Sequence, residues 1–209
     1  MFPPRWFIPY DVLFQLVTSL VALGISLFAL RGYLWVRERT LYALFMAFTI
    51  ISAGLFVNGI TLSYALAAGA SLSRNVPPVL ELGYWAYYLM TLLGFGILVL
   101  AYLHRLREMP VFVAAAAAAA TPILAAGPVF ELVISILLFV ILAAQLAHMQ
   151  LKRSTTSTMV SAGFLLLLLS HMLVLISPLE DSVYVVGKLL QLSGFMVLMA
   201  LLYRLRGSQ

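Results

Sequence analysis

Residues 182–206 read SVYVVGKLLQLSGFMVLMALLYRLR, and this stretch decides the fold. At about 1.5 Å per helical residue it is long enough to cross a hydrocarbon layer about 30 Å thick. It carries one charge inside its apolar run, Lys188, and closes on Arg204 and Arg206. The whole chain has the same character. Of its 209 residues 64% are hydrophobic and 9% charged, and the mean hydropathy is +1.10. A soluble domain carries about 25% charged residues. No water-facing fold of this length hides so much apolar surface, so the bilayer is the solvent. The expected class is all-α, a polytopic membrane protein forming a single transmembrane domain over residues 1–209.

The order of apolar runs predicts seven spans, at residues 11–35, 40–67, 80–104, 111–126, 128–150, 156–177 and 182–206. The first nine residues hold three prolines with Trp6 and Phe7, which suits an interfacial lead-in. They lack the basic, apolar and cleavable pattern of a signal peptide, so the first run is expected to be a retained span. Pro77 and Pro78 mark a loop before the third span, and Pro178 stops the sixth. The fourth span is short, with seven consecutive alanines and Pro122. Small, weakly apolar residues suit helix packing better than lipid contact. Glycines 94, 96, 187 and 194 are read the same way.

Charge placement sets orientation. Arg31, Arg37, Arg39, Arg105, Arg107, Lys152, Arg153, Arg204 and Arg206 fall on one side of this seven-span layout. Arg5 and Arg74 fall on the other, with Asp11, Glu81, Glu131, Glu180 and Asp181. The positive-inside rule then places the N-terminus outside and the C-terminus in the cytoplasm of a cell-membrane protein. Omitting the fourth span would break this bias. The net charge of +5 is spread over helix ends rather than gathered in a patch, which argues against a nucleic-acid partner. The absence of cysteine excludes disulfides, thiolate metal sites and cysteine nucleophiles.

FQLVTS at 14–19 matches FELVIS at 130–135, and the same spacing pairs Phe48 with Phe164. A second spacing pairs LHRLR at 103–107 with LYRLR at 202–206, and Glu81 with Glu180. These matches predict a parallel 3+1+3 internal repeat: a three-helix unit over 10–107, a linker helix over 110–126, and a second unit over 128–206. The alternative is chance similarity among leucine-rich helices. The plan is similar to that of the SWEET-type sugar transporters and the microbial rhodopsins, a likeness of topology that no sequence motif carries. Rhodopsins hold retinal on a lysine of their seventh helix. Here Lys188 sits near the outer end of its span, the third span has no deep carboxylate, and the sixth lacks tryptophan and internal proline.

Depth along each span gathers Asp11, Gln15, Asn58, Glu81, Tyr84, Tyr88, His171, Lys188 and Gln191 in the outward half. Glu81, Tyr84 and Tyr88 share a helix face. A charge in the hydrocarbon costs about 2.5–3.5 kcal/mol on insertion scales and usually faces a bundle interior or wet cavity. These nine residues form the candidate ligand site. The plainer reading is that Lys188 snorkels outward or pairs with Glu81, Asp11, Glu180 or Asp181 for structure alone. His171 reads equally as a hydrogen-bonded core histidine. His104 and His148 lie at the cytoplasmic end beside basic residues, a poor setting for a shared haem or metal. No triad, HExxH pattern or phosphate loop is present, so no enzyme, metal or cofactor is expected. The expected function is binding, and moving, a small polar solute or ion at an outward-facing site. The alternative is a non-catalytic accessory or sensory subunit with a membrane-protein partner, or a homo-oligomer.

Overall fold

The computed structural model describes residues 4–67, 78–104, 127–151 and 155–207. Six long helices fill them: α1 (Ile8–Val36), α2 (Arg39–Ala67), α3 (Pro78–His104), α4 (Gly127–Leu151), α5 (Thr155–Ile176) and α6 (Asp181–Gly207). All six are long and apolar enough to cross a membrane, and no strand occurs among the described residues. The fourth span expected at 111–126 lies outside the described residues, as do the side chains of His104 and His148.

Helix starts correct two expectations about proline. α1 begins at Ile8 and takes Pro9 into its first turn, and α3 begins on Pro78. The first turn of a helix has no intrahelical use for the N–H that proline lacks, so both are admitted there. A single 3₁₀ turn, Arg5–Phe7, precedes α1 and buries Phe7 beside Tyr184. The α1–α2 connection is two residues long, Arg37 and Glu38. Arg37 adopts φ 58°, and its N–H donates to the Tyr33 carbonyl at 2.8 Å, closing α1 with a left-handed cap.

Each helix packs on the next, and α6 returns to α1, closing a ring. Tyr88 stacks on Phe130 at 4.7 Å, which puts the first half of α3 beside the start of α4. These two helices are therefore parallel, and the end of α3 and the beginning of α4 lie at opposite ends of the bundle. The Tyr184–Asp11 contact makes α6 parallel to α1 in the same way. α2 and α5 run the other way.

The bundle is apolar outside. Leu13, Leu20, Leu27 and Leu34 of α1, Leu82, Leu89, Leu93 and Leu100 of α3, and Leu165, Leu169 and Met172 of α5 are all exposed. Lipid is as apolar as these side chains, so helix association comes from close packing and polar contacts instead. Three of the four glycines singled out in the sequence sit at such close approaches. A Cβ on Gly94 would meet Ile51 and the Ala47 carbonyl; on Gly194, Leu167 and the Gly163 carbonyl; on Gly187, Val174 and the Ser170 carbonyl. Gly96 is the exception, with open space around it. Hydroxyls zip α1 to α2. Ser19 and Ser52 each donate to the other's carbonyl, at 3.0 and 2.8 Å, and Ser26 meets Thr49 at 2.6 Å one heptad along. Phe48, Phe95, Phe164 and Phe195 fill the interior farther from the α1 and α6 starts.

Candidate functional site

The interior between the starts of α1, α3, α4 and α6 is polar. α1 turns Asp11 and Gln15 inward, one turn apart, both buried. The Tyr184 hydroxyl donates to Asp11 Oδ2 at 3.1 Å, and Lys188 Nζ faces Asp11 Oδ1 at 3.8 Å. Lys188 is 7% exposed, so it points into the bundle rather than reaching out along it. Its ammonium lies 5.3 Å from the Tyr184 ring centroid and 5.9 Å from that of Tyr87, within cation–π range. Gln191, one turn deeper on α6, donates to the Tyr87 hydroxyl at 3.4 Å and so ties α6 to α3 across the ring.

A second ionisable pair stands on the other side. His171 Nδ1 of α5 and Glu131 Oε2 of α4 are 2.7 Å apart, and both residues are at most 3% exposed. The Phe95 ring meets the imidazole edge-on at 6.2 Å. Tyr87, beside Lys188, also touches Tyr88, which stacks on Phe130 next to Glu131, so the two pairs share one interior. Tyr84 and Tyr88 stack at 6.5 Å, and with Phe130 they make an aromatic wall on the α3–α4 side.

Several polar atoms here are buried without a hydrogen-bond partner among the described residues: Gln15 Oε1, Asn58 Nδ2, Thr91 Oγ1 and His171 Nε2. Leaving such groups unmade costs about 1–3 kcal/mol each. Their concentration on four helices marks this interior as polar capacity that the described residues do not use.

Of the nine residues expected from the sequence, eight lie inside the bundle: Asp11, Gln15, Asn58, Tyr84, Tyr88, His171, Lys188 and Gln191. Glu81 does not join them. It is exposed in the first turn of α3, and the inward stripe of that helix runs through Leu80, Tyr84, Tyr87, Tyr88 and Thr91. Glu180 and Asp181 are exposed as well, which leaves Asp11 as the partner of Lys188. Sequence reasoning missed Glu131, Tyr87, Thr91 and Tyr184. A signal for Glu131 was present, because the FQLVTS–FELVIS match pairs it with Gln15. Among the described residues no group of three or more acidic or histidine side chains is placed to hold a metal ion.

No family model matches the chain, and comparison with curated proteins and with solved structures finds no match.

Proposed function

We propose that the protein is a cell-membrane bundle that binds a small polar solute or ion in this interior, open toward the outside, and carries it across by relative movement of two three-helix units. The observation that carries the reading is the set of unpartnered buried polar atoms around Asp11 and Lys188. A charged pair in hydrocarbon is costly, and a purely structural pair would not need Gln15, Asn58, Thr91 and His171 left short of partners beside it.

Orientation rests on the exposed Arg31, Arg37, Arg39 and Arg204, which gather at the end of the bundle remote from Asp11. The positive-inside rule makes that end cytoplasmic and the polar interior outward-facing. The parallel course of α3 and α4 supports a seventh crossing through 105–126, giving the 3+1+3 plan. The repeat is supported by equivalent packing. Phe14 and Phe130 pair as α1 does with α4, and Ala47 and Gly163 as α2 does with α5. Gly94 then meets Ala47 and Ile51 as Gly194 meets Gly163 and Leu167. This puts Phe95 opposite Phe195, a register one residue away from the one that aligns the basic helix ends. The two units meet along α3–α4 and α6–α1, and the polar interior lies between those seams. Below it the four phenylalanines form an apolar floor, which must part for a solute to pass.

The chain has no cysteine, so engineered thiols test the reading directly. Asn58→Cys and Thr91→Cys are expected to react in intact cells with an impermeant, positively charged methanethiosulfonate reagent, and Leu98→Cys below the floor is not. Unreactive thiols at both 58 and 91, in protein that folds and reaches the membrane, sink the outward-facing site.

A further inference from the structure

Among the described residues the buried charges are Asp11, Glu131, Lys188 and, when protonated, His171. With a neutral imidazole this interior holds two negative charges and one positive. A net charge enclosed in hydrocarbon is unfavourable, and it is removed by one further positive charge. Two sources fit the geometry. One is a proton on His171. The other is a monovalent cation beside the tyrosines.

The imidazole is set for the first. With Glu131 ionised, Nδ1–H donates to Oε2 across 2.7 Å, which fixes the tautomer and leaves the lone pair on Nε2. Nε2 is buried with no hydrogen-bond partner among the described residues, so its lone pair faces the interior. Proton uptake forms an Nε2–H bond from that lone pair and gives an imidazolium–carboxylate pair of zero net charge. The titratable groups turned into the surrounding interior are Glu131 of α4, Lys188 and Tyr184 of α6, Tyr84, Tyr87 and Tyr88 of α3, and Asp11 of α1; α2 contributes the neutral Asn58. Imidazole is the side chain in that set that ordinarily changes charge between pH 5 and 8.

The interior also suits the second. Tyrosine faces attract small ammonium groups, as the seating of Lys188 over Tyr87 and Tyr184 already displays. Tyr84 and Tyr88 offer further aromatic surface, and Asp11 offsets the charge of Lys188. We propose that the site binds a small monovalent cation, of organic ammonium type, in exchange for one proton released from His171 Nε2. The inference rests on the outward-facing site proposed above and names its ligand class and its coupling ion. On exchange the Nε2–H bond breaks, its electron pair returns to nitrogen, and the proton leaves to the outer water as the cation enters.

Calorimetric titration of the purified full-length protein in detergent with tetramethylammonium chloride tests this, in parallel buffers of different ionisation enthalpy. Close to one proton released per cation is expected at the acid end of a series from pH 5.5 to pH 8, where the empty site holds the proton. Wherever one proton is released, the apparent affinity should fall about tenfold for each unit by which the pH is lowered. His171→Gln should bind without proton release and with the same affinity at pH 8 and pH 5.5. Glu131→Gln should weaken binding at least tenfold. Sodium and potassium chloride are run alongside; the same proton-linked binding of these, without tetramethylammonium, keeps the exchange and overturns the organic class. Binding with no proton release in the wild type at either pH 5.5 or pH 8 overturns the exchange, even if His171→Gln fails to fold. Failure of all three cations while glycine or glucose binds overturns the inference and leaves the solute-binding site standing. Failure of every probe, with Asn58→Cys unreactive from outside, removes the site itself.

Discussion

Lys188 shows what one residue can disclose and what it cannot. It stands out in the sequence as the single lysine inside a span, but its partner does not. Four acids had comparable claims on it, and the structure selects Asp11, which lies 3.8 Å away on the first helix. Lys188→Met is expected to strand Asp11 in the interior and to cost about 3–5 kcal/mol, as broken buried pairs do. Adding Asp11→Asn should recover most of that loss, read as the midpoint of thermal unfolding in detergent. A single variant as stable as the wild type would show that Asp11 and Lys188 are not a coupled buried pair. Glu131 was harder to find than Lys188 for a physical reason. An acid in the first turns of a helix ordinarily sits at the headgroup level, and burial depends on which face meets the neighbour. Spacing along one helix cannot say which face that is. The same ambiguity admitted Glu81, which is exposed although Leu80 beside it is buried.

At the scale of helices the apolar runs were legible because a span needs only length and low charge, and both are written in composition. Packing was legible only in part. Gly94, Gly96, Gly187 and Gly194 look alike in sequence, yet Gly94 and Gly194 sit against backbone carbonyls of the neighbouring helix and Gly96 faces open space. Gly94→Ala and Gly194→Ala are each expected to destabilise the bundle by about 1–3 kcal/mol, because a carbonyl cannot yield as a side-chain end can. Gly96→Ala should be neutral or gain up to about 1 kcal/mol from better helix propensity. Thermal unfolding of the three variants checks the contrast; equal losses at all three positions would refute it. The left-handed cap makes a separate prediction. Arg37→Val places a β-branched residue at φ 58° and should cost about 1–2 kcal/mol, and Arg37→Gly should not.

For the whole molecule the parallel pair α3–α4 is the feature on which a six-crossing and a seven-crossing plan differ. In the seven-crossing plan Arg107→Cys is shielded from an impermeant thiol reagent in intact cells and Pro128→Cys is labelled. Ser73→Cys should be labelled and Ser208→Cys shielded if the polar interior faces outward. Labelling at 208 without labelling at 73 would invert the molecule. Arginine placement carries the expected orientation, because loop charge acts during insertion and needs no knowledge of packing. The interior was not readable as an assembly, since it is built from six helices that meet only after insertion. The two-residue link between α1 and α2 has a mechanical result for that assembly. A joint so short lets neither helix slide along the other, and the Ser19–Ser52 and Ser26–Thr49 contacts resist their twisting apart. Asp11, Gln15 and Asn58 therefore ride on one stiff lever. Any stroke that reshapes the interior must swing that lever as a piece against α6, with Lys188 as the point where its travel is felt.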